Sequence, residues 1–170
     1  MGLVTIGLNA FNFAPLASDG GPGTVFVKLG NTSKGTFSFE EDDPSEKRVE
    51  VEESPDPLKV YKRQGARRLK FSIPDVDVDT LAKIRGGTVT TATGKKTYSE
   101  DSAVSLVGTV QVIPEEGFDS IQYNHVSIYG KHNGGLGQDQ ELLLEVTVDI
   151  LKPAKTGIKT VTIIQDAPTP

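Results

Sequence analysis

Between residues 142 and 151, Leu144, Val146, Val148 and Ile150 alternate with Glu145, Thr147 and Asp149. A period of two sends successive side chains to opposite faces, which suits a half-buried strand and cannot make one apolar stripe on a helix. The same alternation runs through Leu69, Phe71 and Ile73, broken by Lys70 and Ser72. It recurs over residues 24–29, where Val25, Val27 and Leu29 share a face, and in Phe37 and Phe39. Only one stretch departs from it. Val78, Leu81 and Ala82 stand at i, i+3 and i+4, the spacing of a helical stripe. Asp77 is placed to cap the first turn, Lys83 and Arg85 suit the negative helix end, and Gly86-Gly87 can stop it. A helix from Asp77 to Arg85 is about two turns long, too short to stand alone in water. It must dock, covering one open end or face of a sheet. The chain is therefore expected to be mostly β: an antiparallel β-sandwich or rolled β-barrel with one short flanking α-helix.

Turn signals divide the rest. Ser18 to Gly23, Gly30-Asn31, Gly94-Lys95-Lys96, Glu115-Glu116-Gly117 and Gly157 mark connections, and Pro74, Pro114 and Pro153 stop strands. Residues 104–113, 121–129, 142–151 and 158–164 read as strands, and 88–93 is β-like. Residues 130–137 read as a polar, glycine-rich connection. Roughly seven to nine strands result, at the spacing of a sandwich or partly closed barrel. At 170 residues the chain suits a single domain spanning 1–170. Residues 1–17 read as a first strand or an arm that pairs with a neighbour, and 165–170 as a loose tail. Several strands carry Thr, Ser or charge opposite their apolar face. Such a face can meet water or the wall of an aqueous lumen.

Charge is concentrated in one place. Glu40, Glu41, Asp42, Asp43, Glu46, Glu50, Glu52, Glu53 and Asp56 crowd together, and Lys59, Lys62, Arg63, Arg67, Arg68 and Lys70 follow. Two solvated faces paired as a hairpin explain the pattern. A long charged loop or hairpin over residues 40–68, projecting from the domain, explains it equally. In the second case copies can pair acidic stretch against basic stretch, with Glu40, Glu41, Asp42, Asp43, Arg63, Arg67 and Arg68 as the stacking residues. Surface ion pairs contribute about 0–1 kcal/mol each. Repeated around a ring they set register and orientation rather than affinity.

No catalytic constellation accompanies these features. There is no cysteine, so no thiolate nucleophile, disulfide or thiolate zinc site. His125 and His132 lack HxxxH or HExxH spacing, and no metal is expected. No serine stands in a GxSxG elbow, and neither GPG at 21–23 nor GGLG at 134–137 has phosphate-binding spacing. Tryptophan is absent and aromatics are 6% of the chain, which disfavours a sugar cleft despite the many carboxylates. A net charge of −5 argues against a dedicated nucleic-acid binder. The N-terminus lacks the charged region of a signal peptide, Ile6 stands where a myristoylation motif wants Ser or Thr, and no apolar run reaches the roughly 20 residues of a membrane span. An enzyme is not expected, and neither is a cofactor.

The order of these pieces resembles the tail tube (major tail) protein family of tailed bacteriophages, related to the tube proteins of contractile injection systems. The resemblance rests on SDGGPGTVFVKLG, a Phe-containing short strand, a long charged segment with EESPDPL, then LKFSIPDVDVDTLAKIRGGTV and LLLEVTVDILKP. It covers roughly residues 18 to 155. It implies a hexameric ring whose inner strands join into one β-barrel lumen, stacked into a tube through the N-terminal arm, the charged loop and the C-terminal end. Tape-measure, tail-terminator and baseplate or tail-tip proteins are the implied partners. DNA would pass through the lumen without specific binding, and the tube would belong to the virion after assembly in the host bacterial cytoplasm. The family is non-catalytic, and no decoration domain is expected after Pro170. The competing reading is a monomeric β-sandwich binding module for a carbohydrate or a partner protein. A glycosidase-like enzyme ranks below both.

Overall fold

The computed structural model describes residues 4–137 and 140–166. It is mostly β, with antiparallel sheets and one short helix. The strands are β1 (Ala10–Pro15), β2 (Val27–Lys28), β3 (Ser38–Glu41), β4 (Ser45–Val51), β5 (Ser54–Arg63) and β6 (Arg67–Ile73). The helix α1 (Val78–Arg85) follows, then β7 (Thr88–Ala92), β8 (Lys95–Ser99), β9 (Leu106–Ile113), β10 (Ser120–Gly137), β11 (Gln140–Ile150) and β12 (Val161–Ile164). The main sheet runs β2-β1-β9-β10-β11-β6-β3, with β12 also on β10. The pairs β4–β5 and β7–β8 form separate two-stranded sheets.

The main sheet rolls. β1 and β6 lie far apart in its order, yet the rings of Phe11 and Phe71 meet at 4.5 Å between centroids. Phe37 joins them at 6.3 Å from Phe11 and 5.9 Å from Phe71. Only a sheet curled onto itself brings these strands face to face, and the curled inner face is the core. Leu69, Phe71 and Ile73 of β6 point into it, with Leu144, Val146 and Val148 of β11, Val126 and Ile128 of β10, and Val110 and Val112 of β9. The alternation read from the sequence is thus the alternation between the inside and the outside of the roll. The loop from β2 to β3 is tied to β6: the Ser33 amide donates to the Ser72 carbonyl at 2.7 Å, and the Ser72 amide to Thr36 Oγ1 at 3.1 Å.

The helix closes one end of the roll. Asp77 is its N-cap and accepts from the Thr80 amide at 2.7 Å; the Thr80 side chain first, and then that amide, hold its carboxyl below the usual range. Gly86 ends it with a φ of 78°, its amide donating to the Ala82 carbonyl at 3.1 Å. The expected stripe of Val78, Leu81 and Ala82 is only half-buried, and the buried knob is Ile84. Ile84 seats over Gly130 of β10, where an added Cβ would stand 2.7 Å from its Cγ2. A residue three on from Leu81 keeps the stripe but moves its centre toward the C-terminal turn. Arg85 binds the Gly130 carbonyl at 2.7 Å and Glu100 at 2.6 and 3.0 Å, and Tyr98 donates to the same carboxylate. Arg85 and then Tyr98 draw the Glu100 pKa down from 4.5 to about 2. The network pins α1 and the β7–β8 hairpin beside β10, past the pairing of Ile128 with Leu106, where β9 begins.

Several elements differ from the sequence reading. Residues 130–137, expected as a connection, continue β10, because their glycines pair with β11 through Gly134↔Leu142 and Gly137↔Gln140. The strand expected over 24–29 shrinks to Val27–Lys28, with Leu29 buried but Val25 74% exposed, since only two residues find partners on β1. The Gly94-Lys95-Lys96 turn shifts back to Thr93-Gly94, both with positive φ, and Lys95 and Lys96 open the unforeseen strand β8. The last strand begins at Val161 rather than at 158. Residues 10–15 of the expected arm form β1 between β2 and β9. Of the expected tail, Gln165 and Asp166 are exposed and 167–170 lie outside the described residues, as do residues 1–3.

A buried polar knot fastens the other end. Asn124 Nδ2 donates to the Lys159 carbonyl at 2.7 Å and to Thr162 Oγ1 at 3.2 Å. Its own carbonyl accepts from Thr109 Oγ1 at 3.1 Å, and that hydroxyl accepts from the Gly23 amide at 2.8 Å. The knot sits at the bulge where β10 changes register between Tyr123 and Val126. It ties the early glycine turn and the last strand to the sheet.

Candidate assembly surface

The charged segment folds as a hairpin. β4 and β5 pair from Ser45↔Arg63 to Val51↔Ser54, and among the described residues neither strand packs on any other strand or helix. The neck is narrow. The Asp42 amide donates to the Ala66 carbonyl at 2.8 Å, and Gly65 lies so close that a Cβ there would stand 1.9 Å from the Asp42 carbonyl oxygen. Beyond the neck Val49, Leu58, Val60 and Tyr61 are all exposed, Leu58 at 68%. Pro55 and Pro57 remove donors from β5, a common guard on an open edge.

Alternation sorts the side chains of this hairpin between two faces. Cross-strand partners share a face, so Ser45, Lys47 and Val49 stand with Arg63, Tyr61 and Lys59. Lys59 Nζ lies 4.8 Å from the centre of the Tyr61 ring. The opposite face carries Glu46, Arg48, Val60 and Lys62, with Glu46 bonded to Lys62 at 2.9 Å and to Arg48 at 3.4 Å. Those two cations, Lys62 first, lower the Glu46 pKa. One face of the stem is thus basic and aromatic with no acid on it, while the other neutralises itself. The tip is acidic: Glu50, Glu52, Glu53 and Asp56 are exposed and make no ion pair among the described residues.

The seven expected stacking residues divide among different surroundings. Glu40 stands across β3–β6 from Arg68 and bonds Lys70 at 2.8 Å. Arg68 is shared by Asp149 at 3.1 Å and Asp42 at 3.5 Å. These groups sit on the outer face of the main sheet and are satisfied within the chain. Glu41 lies opposite Arg67 and accepts from Gln64 at 2.7 Å. Both rim an open groove of 510 Å³ whose walls include Phe39, Leu69, Tyr123, Val161 and Ile163. Among the described residues, Asp43 and Arg63 make no ion pair. Only Arg63 belongs to the basic stem face. Sequence reasoning grouped the charges by density and did not separate Lys47 and Lys59, which share a face with Tyr61, from Glu46 and Arg48 on the other. The signal was present: in an alternating segment, parity separates charges that density lumps together.

Other chemistry finds little to stand on. His125 and His132 lie on β10 an odd number apart, hence on opposite faces and about 23 Å apart along a strand. His125 Nδ1 lies 2.7 Å from the Lys152 carbonyl. Among the described residues no cluster of His, Asp and Glu is arranged to hold a metal, and no helix is long and apolar enough to cross a membrane. The outer face of the sheet carries a polar row across the strands, Lys28, Asn12, Gln111, Gln122 and Thr162 in successive register. Comparison of the chain with protein-family models and with curated proteins returns no match.

Proposed function

We propose that this chain is a structural subunit that assembles with copies of itself, closing into rings, six subunits each, that stack as the tube of a bacteriophage tail. The observation that carries the reading is the β4–β5 hairpin. It extends from a well-packed roll, exposes four large apolar side chains and, among the described residues, touches no other strand or helix. Two-stranded hairpins are marginal in water, so a long one with apolar faces is suited to a partner. The free edges of β3 and β2, at the two ends of the main sheet, are further places where copies add to each other. A closed ring removes such edges. The polar outer row led by Asn12, Gln111 and Gln122 suits a wall in contact with water or with passing DNA. The subunit needs no catalysis for this role.

Negative-stain electron microscopy of the purified chain tests the proposal, dilute and concentrated, at low and moderate salt, with and without tail-tip proteins as nucleators. Open-centred rings or tubes are expected, with six-fold symmetry in end views. Compact particles alone under every condition, nucleated or not, would transfer the assignment to a monomeric binding module.

A further inference from the structure

The hairpin is electrically polar along its length, and this points to how one copy meets the next. Its stem presents Lys47, Lys59 and Arg63 around Tyr61 and Val49. Its tip presents Glu50, Glu52, Glu53 and Asp56. None of these seven charged groups makes an ion pair among the described residues, whereas Glu46, Arg48 and Lys62 on the opposite face are paired with one another. A basic face free of acids is notable in a chain of net charge −5.

We infer that the acidic tip of the hairpin docks on the basic, aromatic stem face of the hairpin of a second copy, head to tail. The inference rests on the assembly reading and specifies its contact. Charge complementarity chooses the occupant: the stem face takes an acidic, extended element, and the chain displays such an element at the tip of the same hairpin. Two hairpins aligned in one direction and offset by about one hairpin length, roughly 23 Å for seven strand residues, bring tip to stem. The contact is heterologous, with different patches on its two sides, so it repeats without closing and builds a filament. Tyr61 and Val49 supply apolar area that the charges orient. Because the pairs are exposed, salt weakens the contact through screening.

A charge swap tests this. One variant reverses the stem (Lys47→Glu, Lys59→Glu, Arg63→Glu) and another reverses the tip (Glu50→Lys, Glu52→Lys, Glu53→Lys). All six positions are on the exposed hairpin, and circular dichroism checks that the roll is intact. Assembly is read by sedimentation across concentration at two salt levels. Each variant alone is expected to need about tenfold or more protein to assemble. An equimolar mixture, in which each tip meets an opposite stem, is expected to recover wild-type assembly, as is a single chain carrying both reversals. Variants that assemble like the wild type would overturn the tip-to-stem contact and leave the tube reading standing. Loss in each variant without recovery in the mixture would also overturn it. A wild type monomeric at every concentration would overturn both. Capture of an oligonucleotide by the stem face, with assembly unaffected by the reversals, would reassign that face to nucleic acid.

Discussion

The pairs β10–β11 and β4–β5 are both long antiparallel hairpins, and they meet opposite fates. In β11, Leu144, Val146 and Val148 are fully buried, because β6 flanks the strand and the rolled sheet covers its inner face. In β5, Leu58 and Val60 alternate in the same way along one face with Tyr61 on the other, and no strand or helix among the described residues covers them. Pairing two strands satisfies their ladder but does not by itself bury a side chain. The body of this protein gains its stability where a second layer meets the sheet, at Phe11 against Phe71 and at Ile84 over Gly130. The hairpin has its ladder but no second layer among the described residues. On the assembly proposed above, the roll folds by itself and a neighbouring copy would complete the hairpin.

Substitutions on either side of that divide should behave differently. Phe71→Ala removes a ring packed against Phe11 and Phe37 and is expected to destabilise the monomer by about 3–5 kcal/mol in denaturant unfolding. Asn124→Ala takes the donor away from the Lys159 carbonyl and from Thr162, and should cost about 1–3 kcal/mol. It should also open residues 158–164 to proteolysis before the rest of the chain; uniform resistance would show that β12 is held by its ladder alone. The Glu100 network adds a smaller, pH-confined effect. Its carboxyl is held at about 2 in the folded chain against an ordinary 4.5, so its contribution is complete above pH 4.5 and fades as pH falls toward 2. Glu100→Gln should flatten that part of the stability profile and leave the region above it parallel to the wild type. Leu58→Ser, on the hairpin, should shift monomer stability by no more than about 0.5 kcal/mol. A loss near that of Phe71→Ala would mean the hairpin is packed within its own chain, and the comparison would collapse.

Much of the body could be read from the residues themselves. Asp77 as N-cap, Gly86 as stop, and the inward rows of β6 and β11 follow from local pattern, because cap geometry and period-two burial are written within a few residues. Where partners decide, the pattern ran out. Gly130, Gly134 and Gly137 signal a loop on composition, yet they sit in β10 because β11 pairs with them, and at Gly130 because Ile84 needs the space. Val25 and Val27 look like a core strand, but β1 offers them only a two-residue pairing. The projecting hairpin was legible from reversed charge blocks and prolines. Its two faces were not, since the register that places Lys47 beside Tyr61 is fixed by the Val51↔Ser54 turn and the irregularity after Val49.

Hydrogen exchange of the hairpin amides, compared between dilute monomer and concentrated or nucleated protein, measures the central claim most directly. In the monomer, the amides of β4 and β5 should exchange by local opening, orders of magnitude faster than those of β11. On assembly they should become protected, with the largest gain at the tip and along the stem face from Lys59 to Arg63. Hairpin amides as slow as those of β11 in the monomer, or unchanged in an assembled tube, would contradict the account.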